Sequence, residues 1–185
     1  GLAMNCIGGM GVDTSNLVQL AIASSYGSQE RDRSRIANKC NGINENCGLS
    51  ISKPEYVSAK QIAEEKTGKD PITGLMASCD RFVASMYRAT GKDTTYPWGG
   101  VKIQKSYMES SPDWQEVGCQ SRLPGDVLVS LREDHIMLYV GIVNGIDSSA
   151  SASNQDRTAA ILGMSCDGDI FNADEMPAKG WRKMR

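Results

Sequence analysis

His135-Ile136-Met137-Leu138-Tyr139-Val140-Gly141-Ile142-Val143-Asn144-Gly145-Ile146 is the stretch that decides how this chain folds. Its apolar run begins after the charged Arg132-Glu133-Asp134 and reads as one strand over 135–143. Asn144-Gly145 supplies the pair that tolerates positive φ at both turn positions, so a hairpin and a returning strand from Ile146 are expected.

Upstream of the hairpin, Leu123-Pro124-Gly125-Asp126 reads as a turn that delivers a short strand, Val127-Leu128-Val129. Downstream, residues 159–164 and Ile170-Phe171 allow one or two further strands. The earlier part of the chain has a different period. Leu17, Val18, Leu20, Ala21 and Ile22 recur at helical spacing behind Asp13-Thr14-Ser15, which carries good N-cap chemistry. A second amphipathic helix is expected over 58–66. A third, over 79–90, is set by Phe82, Val83, Met86, Tyr87 and Ala89, with Gly91 as its C′ residue. Thr94 to Gln120 carries Pro97, Gly99, Gly100 and Pro112, and reads as irregular chain with one short helix over 103–108. Helices first and an antiparallel sheet after is an α+β order.

The chain has 185 residues, one domain's worth, with 40% apolar and 23% charged residues. The longest apolar run, Ile136–Val143, is far short of the roughly 20 residues that cross a bilayer. A net charge of -2 leaves no clustered basic face for nucleic acid, since Arg31-Asp32-Arg33-Ser34-Arg35 is interrupted by an acid. The opening Gly1-Leu2-Ala3-Met4 suggests a trimmed N-terminus from which a signal peptide has been lost.

Six cysteines, with no Cys-x-x-Cys pair and a single histidine, support disulfides rather than a zinc cluster. Cys40 and Cys47 close a short polar loop and read as one bridge in an exported protein; Cys119 and Cys166 are candidates for a second, with Cys6 left over. No metal or cofactor is expected.

Two residues carry chemistry. Cys79 opens the 79–90 helix, where unpaired N–H groups and the helix dipole favour a thiolate and lower the thiol pKa. His135, the sole histidine, is the only imidazole available to serve it and stands at a strand start beside solvent. Asp80, next to the thiol, opposes thiolate formation. Trp98, beside Gly99-Gly100, reads either as the wall of a substrate groove or, preferably, as a loop tryptophan packed on the core; Asp126 reads as a structural turn acid.

Three motifs together carry a resemblance. Cys79-Asp80-Arg81-Phe82-Val83, Leu123-Pro124-Gly125-Asp126-Val127-Leu128 and His135-Ile136-Met137-Leu138-Tyr139-Val140-Gly141 resemble, in this order, the nucleophile helix, the Pro-Gly-Asp strand start and the histidine strand of NlpC-type and CHAP-type bacterial cell-wall cysteine peptidases and amidases. The match spans 79–147. Cysteine precedes histidine, opposite to the order in the similar lecithin–retinol-type acyltransferases. The common Asp-Cys-Ser-Gly-Phe is replaced here by Ser78-Cys79-Asp80-Arg81-Phe82.

The resemblance implies a papain-like domain over 71–185, with residues 1–70 as a helical N-terminal extension holding the Cys-closed loop and belonging to the same domain. It implies a secreted or surface-bound bacterial monomer that cleaves amide bonds in peptidoglycan stem peptides or cross-bridges, with the backbone N–H of Cys79 in the oxyanion hole. The alternative is a catalytically silent binding or effector module of the same fold on a bacterial surface or conjugation apparatus. A third polar residue should orient the imidazole. The family's spacing selects Asp147, an ideal hairpin places Asn154 opposite His135, and Ser151 is the remaining choice.

Overall fold

A computed structural model describes residues 9–23, 25, 79–143, 145–153, 158–164, 166 and 177–185. The Cys40–Cys47 bridge, Cys6, Ser78, Asn154, the 58–66 helix and Ile170-Phe171 lie outside the described residues.

The described chain is a mixed α+β structure. Three helices, α1 (Ser15–Ala23), α2 (Cys79–Ala89) and α3 (Val101–Ser110), precede a six-stranded sheet. Its strands are β1 (Trp114–Gly118), β2 (Val127–Ser130), β3 (Ile136–Val143), β4 (Ile146–Ser153), β5 (Thr158–Gly163) and β6 (Pro177–Lys183). They lie in the order β1-β6-β2-β3-β4-β5, and every neighbouring pair is antiparallel.

Alternation along the strands sorts the sheet into two faces. Val127, Val129, Ile136, Leu138 and Val140 meet Leu17 and Leu20 of α1 and Phe82, Val83 and Met86 of α2 in the main core. Leu128, Met137 and Tyr139 form a smaller second cluster with Cys119, Met164 and Cys166. A disulfide joins Cys119 to Cys166 and closes that layer, as the cysteine count allowed. None of the described helices is long and apolar enough to cross a membrane.

The hairpin between β3 and β4 forms as expected, with Gly145 at φ 81 and Val143 facing Ile146. A bulge between Tyr139 and Gly141 then shifts the pairing by one residue, so Leu138 faces Ala150. Gly141 takes φ 83 there, a conformation that favours glycine.

Two strands depart from the sequence expectation. Trp114–Gly118, expected to be irregular, is the edge strand β1, and Pro177–Lys183, not foreseen as a strand, lies inside the sheet as β6. The charges of β6 are neutralised by acids far away in sequence. Arg182 makes a double contact with Asp126, at 2.9 Å to each oxygen, and Lys183 stands 3.1 Å from Asp93. Asp126 also accepts the N–H of Leu123 at 2.8 Å, so it is the structural turn acid expected. Asp93 accepts from Trp114 Nε1 (2.9 Å), from Tyr107 Oη (2.8 Å) and from Thr95. Burial works against that carboxylate's charge, but these donors together hold its pKa below the ordinary value.

The Pro124-Gly125-Asp126 turn gathers the layers. Tyr87 of α2 donates to the Gly125 carbonyl at 2.5 Å, Thr14 donates to the Pro124 carbonyl at 2.6 Å, and Arg182 reaches in from β6. A Cβ at position 125 would stand 2.4 Å from Thr14 Cβ, so glycine is required by space as well as by its φ of 98.

Candidate active site

Cys79 is the first residue of α2, packed against the main core and half-buried. The backbone N–H groups of Ile136, Asp80 and Cys79 itself lie near its sulfur and favour the thiolate. Two of these donors are the free amides that open any helix; the third comes from the start of β3. Ile136 pairs with Val129 of β2, whereas the register of β3 with β4 ends at Leu138 and Ala150, so Ile136 has no β4 residue paired with it.

His135 immediately precedes that amide. Ser130 sets the turn before it: its hydroxyl donates to Asp134 Oδ1 at 2.9 Å and accepts the N–H of Asp134 (3.2 Å) and of His135 (3.1 Å). The imidazole Nε2 lies 3.1 Å from Ser151 Oγ on β4, and that hydroxyl also bonds the Ile136 carbonyl at 3.0 Å. A hydroxyl has one proton. With that proton on the Ile136 carbonyl, Ser151 accepts from Nε2–H, and Nδ1 is left with the free lone pair. The Ile136 carbonyl thus shares the Ser151 hydroxyl with the imidazole and its N–H lies near the Cys79 sulfur, while among the described residues no hydrogen bond joins that sulfur to the His135 ring.

Asp147 is not brought to His135. It accepts from Tyr139 Oη at 2.5 Å and pairs with Arg122, whose guanidinium also donates to the Cys119 carbonyl at 2.8 Å and stacks over the Tyr139 ring. Asp147 precedes Ser151 by four residues on one strand, about 13 Å at the ordinary strand rise. A spacing counted along the chain selects it; the observed imidazole contact selects Ser151. Carried past Leu138, the one-residue shift at Gly141 moves the position facing His135 from 154 to 153, and Ser151, two residues nearer the turn on the same strand face, makes the contact, which chain spacing alone does not signal.

The electrostatics reverse one expectation. Burial pushes the Cys79 thiol above its ordinary value, and the Asp80 carboxylate adds to the rise; the three N–H donors oppose both without overcoming them. Burial also lowers the His135 pKa to about 4, against a weaker opposing pull from Asp134. At neutral pH the pair rests as thiol and neutral imidazole, not as an ion pair. A neutral thiol and a neutral imidazole are an acid and a base that can pass one proton if an approaching electrophile brings them together.

Trp98 packs partly buried against the main core, with the Arg88 guanidinium 5.1 Å from its ring centroid. This is the packed arrangement the sequence favoured. No family model, curated protein or solved structure matches this chain.

Proposed function

We propose that this protein is a cysteine hydrolase of the NlpC/CHAP type, with a papain-like fold, that cleaves amide bonds in peptidoglycan stem peptides or cross-bridges. The observation that carries the reading is the placement of Cys79, at the start of α2, near the N–H of Ile136, the residue that follows His135 and whose carbonyl shares the Ser151 hydroxyl with the imidazole. The nucleophile helix packed on an antiparallel sheet supports it, as does the order of the three sequence motifs.

In this reading His135 Nδ1 takes the thiol proton as Cys79 Sγ attacks the amide carbon. The amides of Cys79 and Asp80 face the developing oxyanion. The imidazolium gives its proton to the leaving amine, and water, deprotonated by the same nitrogen, releases the thioester. Ser151 holds the ring through Nε2. The protein acts as an exported monomer, and the Cys119–Cys166 bridge fits an oxidising compartment.

The test is mass spectrometry of fragments released from several purified peptidoglycan types. Wild type should release fragments whose masses name the bond, and Cys79→Ala and His135→Ala should release none above the blank. Ser151→Ala should lower turnover about ten- to a hundredfold, the value of one orienting hydrogen bond to a charged ring. Asp147→Asn should leave turnover within about twofold, because Asp147 serves the Arg122 and Tyr139 layer instead. The opposite ranking of these two variants would return the orienting role to Asp147.

A silent binding module of the same fold is the second reading, favoured by the neutral resting pair and by Asp80 beside the thiol. No release from any wall, together with slow alkylation of Cys79, would select it.

A further inference from the structure

Helix α3 reaches both halves of the dyad with two consecutive residues. Gln104 is fully buried, and its Nε2 donates to the carbonyl of Asp80 (2.8 Å) and to that of Gly99 (3.1 Å), while its Oε1 accepts from Tyr96 Oη at 2.7 Å. Asp80 is the residue after the nucleophile. Lys105 pairs with Glu133, and with Glu109 at 3.1 Å. Glu133 is two residues before the base and sits at φ 57, the left-handed region that costs an L side chain energy. The turn it belongs to is held from within by Ser130 and leaves Leu131 61% exposed.

The apolar core brings α2 against the sheet, but such contacts are non-directional and do not fix how far the helix start lies from the strand start. Hydrogen bonds and an ion pair do fix direction. A buried glutamine with every polar atom used is costly to replace and spatially exact. Lys105, one residue on, ties the outlying turn back to the helix layer.

We propose that Gln104 and Lys105 are positioning residues, which together make α3 the strut that sets the separation of Cys79 and His135. The proposal rests on the dyad reading and adds to it the element that holds the two halves in register.

The test needs no substrate. His135 is the sole histidine, so its ring protons titrate without overlap in proton NMR. In Lys105→Met the His135 midpoint should rise from about 4 by about half a pH unit, the most an ion pair of this exposure supplies. The thermal midpoint should fall by no more than a few degrees. The separate variant Glu133→Gln, which keeps an acceptor for Lys105, should titrate closer to wild type than Lys105→Met does. In Gln104→Leu, loosening of the first turn of α2 should move the Cys79 alkylation profile to lower pH and quicken alkylation severalfold at neutral pH. Should Gln104→Leu fail to fold, Lys105→Met decides alone. Wild-type titration of His135 in Lys105→Met would overturn the proposal, as would folded variants in which both readouts stay at wild type. Shifted titrations with no release from peptidoglycan would overturn the hydrolase reading and leave the strut standing.

Discussion

Arg182→Met is expected to destabilise the folded protein by about 3–5 kcal/mol, read as the fall in the urea midpoint at pH 7 multiplied by the slope. Both sides of the Arg182–Asp126 pair are buried, at 7% and 2% exposure, so solvent does little to screen the interaction or to replace it. The guanidinium also donates to the carbonyls of Gly9 and Ser121 at 2.8 and 2.9 Å. Methionine fills much of the volume and leaves Asp126 as an uncompensated buried charge with two orphaned carbonyls nearby. The cost comes chiefly from that stranded charge. Adding Asp126→Asn should therefore recover part of the loss, since asparagine keeps an acceptor for the Leu123 N–H without the charge. A double variant weaker than Arg182→Met alone would contradict this account.

The second large effect is acid sensitivity above the range where carboxylates protonate. An unfolded histidine titrates near 6.5, whereas His135 in the folded protein titrates at about 4. Between those values the unfolded chain binds a proton that the folded one refuses, so stability falls as pH is lowered through this window, by up to roughly 3 kcal/mol. Asp93 also has a lowered folded value, but its contribution is present above about 3.8 and lost only below it, so the two windows separate. Urea midpoints measured from pH 7.5 to 4.5 should decline in wild type and run nearly flat in His135→Gln. A parallel decline in both would mean that the imidazole is not shielded.

The elements legible in the sequence were those whose stability is local or whose partners are near in the chain. Helix α2 announces itself through Phe82, Val83, Met86 and Tyr87 on one face, and the β3–β4 hairpin through Asn144-Gly145. Strand β6 does not, because Lys179, Gly180, Arg182 and Lys183 read as a polar stretch until Asp126 and Asp93, more than fifty residues upstream, are placed beside it. The nucleophile and base were legible as residue types in an order. The thiol's raised pKa was not, since helix N-termini favour thiolates and only the packing around Cys79 shows that burial wins. Asp147 was chosen on chain spacing, and the one-residue shift at Gly141 is a property of the folded hairpin.

The place of β6 between β1 and β2 has a consequence for how the molecule comes into being. Synthesis delivers residues 177–183 after every other described strand, yet without them β1 has no partner and the sheet on the β2 side is an open edge. Gly9 and Val12 are likewise held by Arg182 and Lys183, so the earliest described segment waits for the same late arrival. Contacts this distant make for slow assembly, governed by loop closure. A nascent chain stalled before residue 177 is thus a four-stranded β2-β3-β4-β5 sheet with its β2 edge open and β1 unpaired, a form in which capture by a chaperone competes easily with folding.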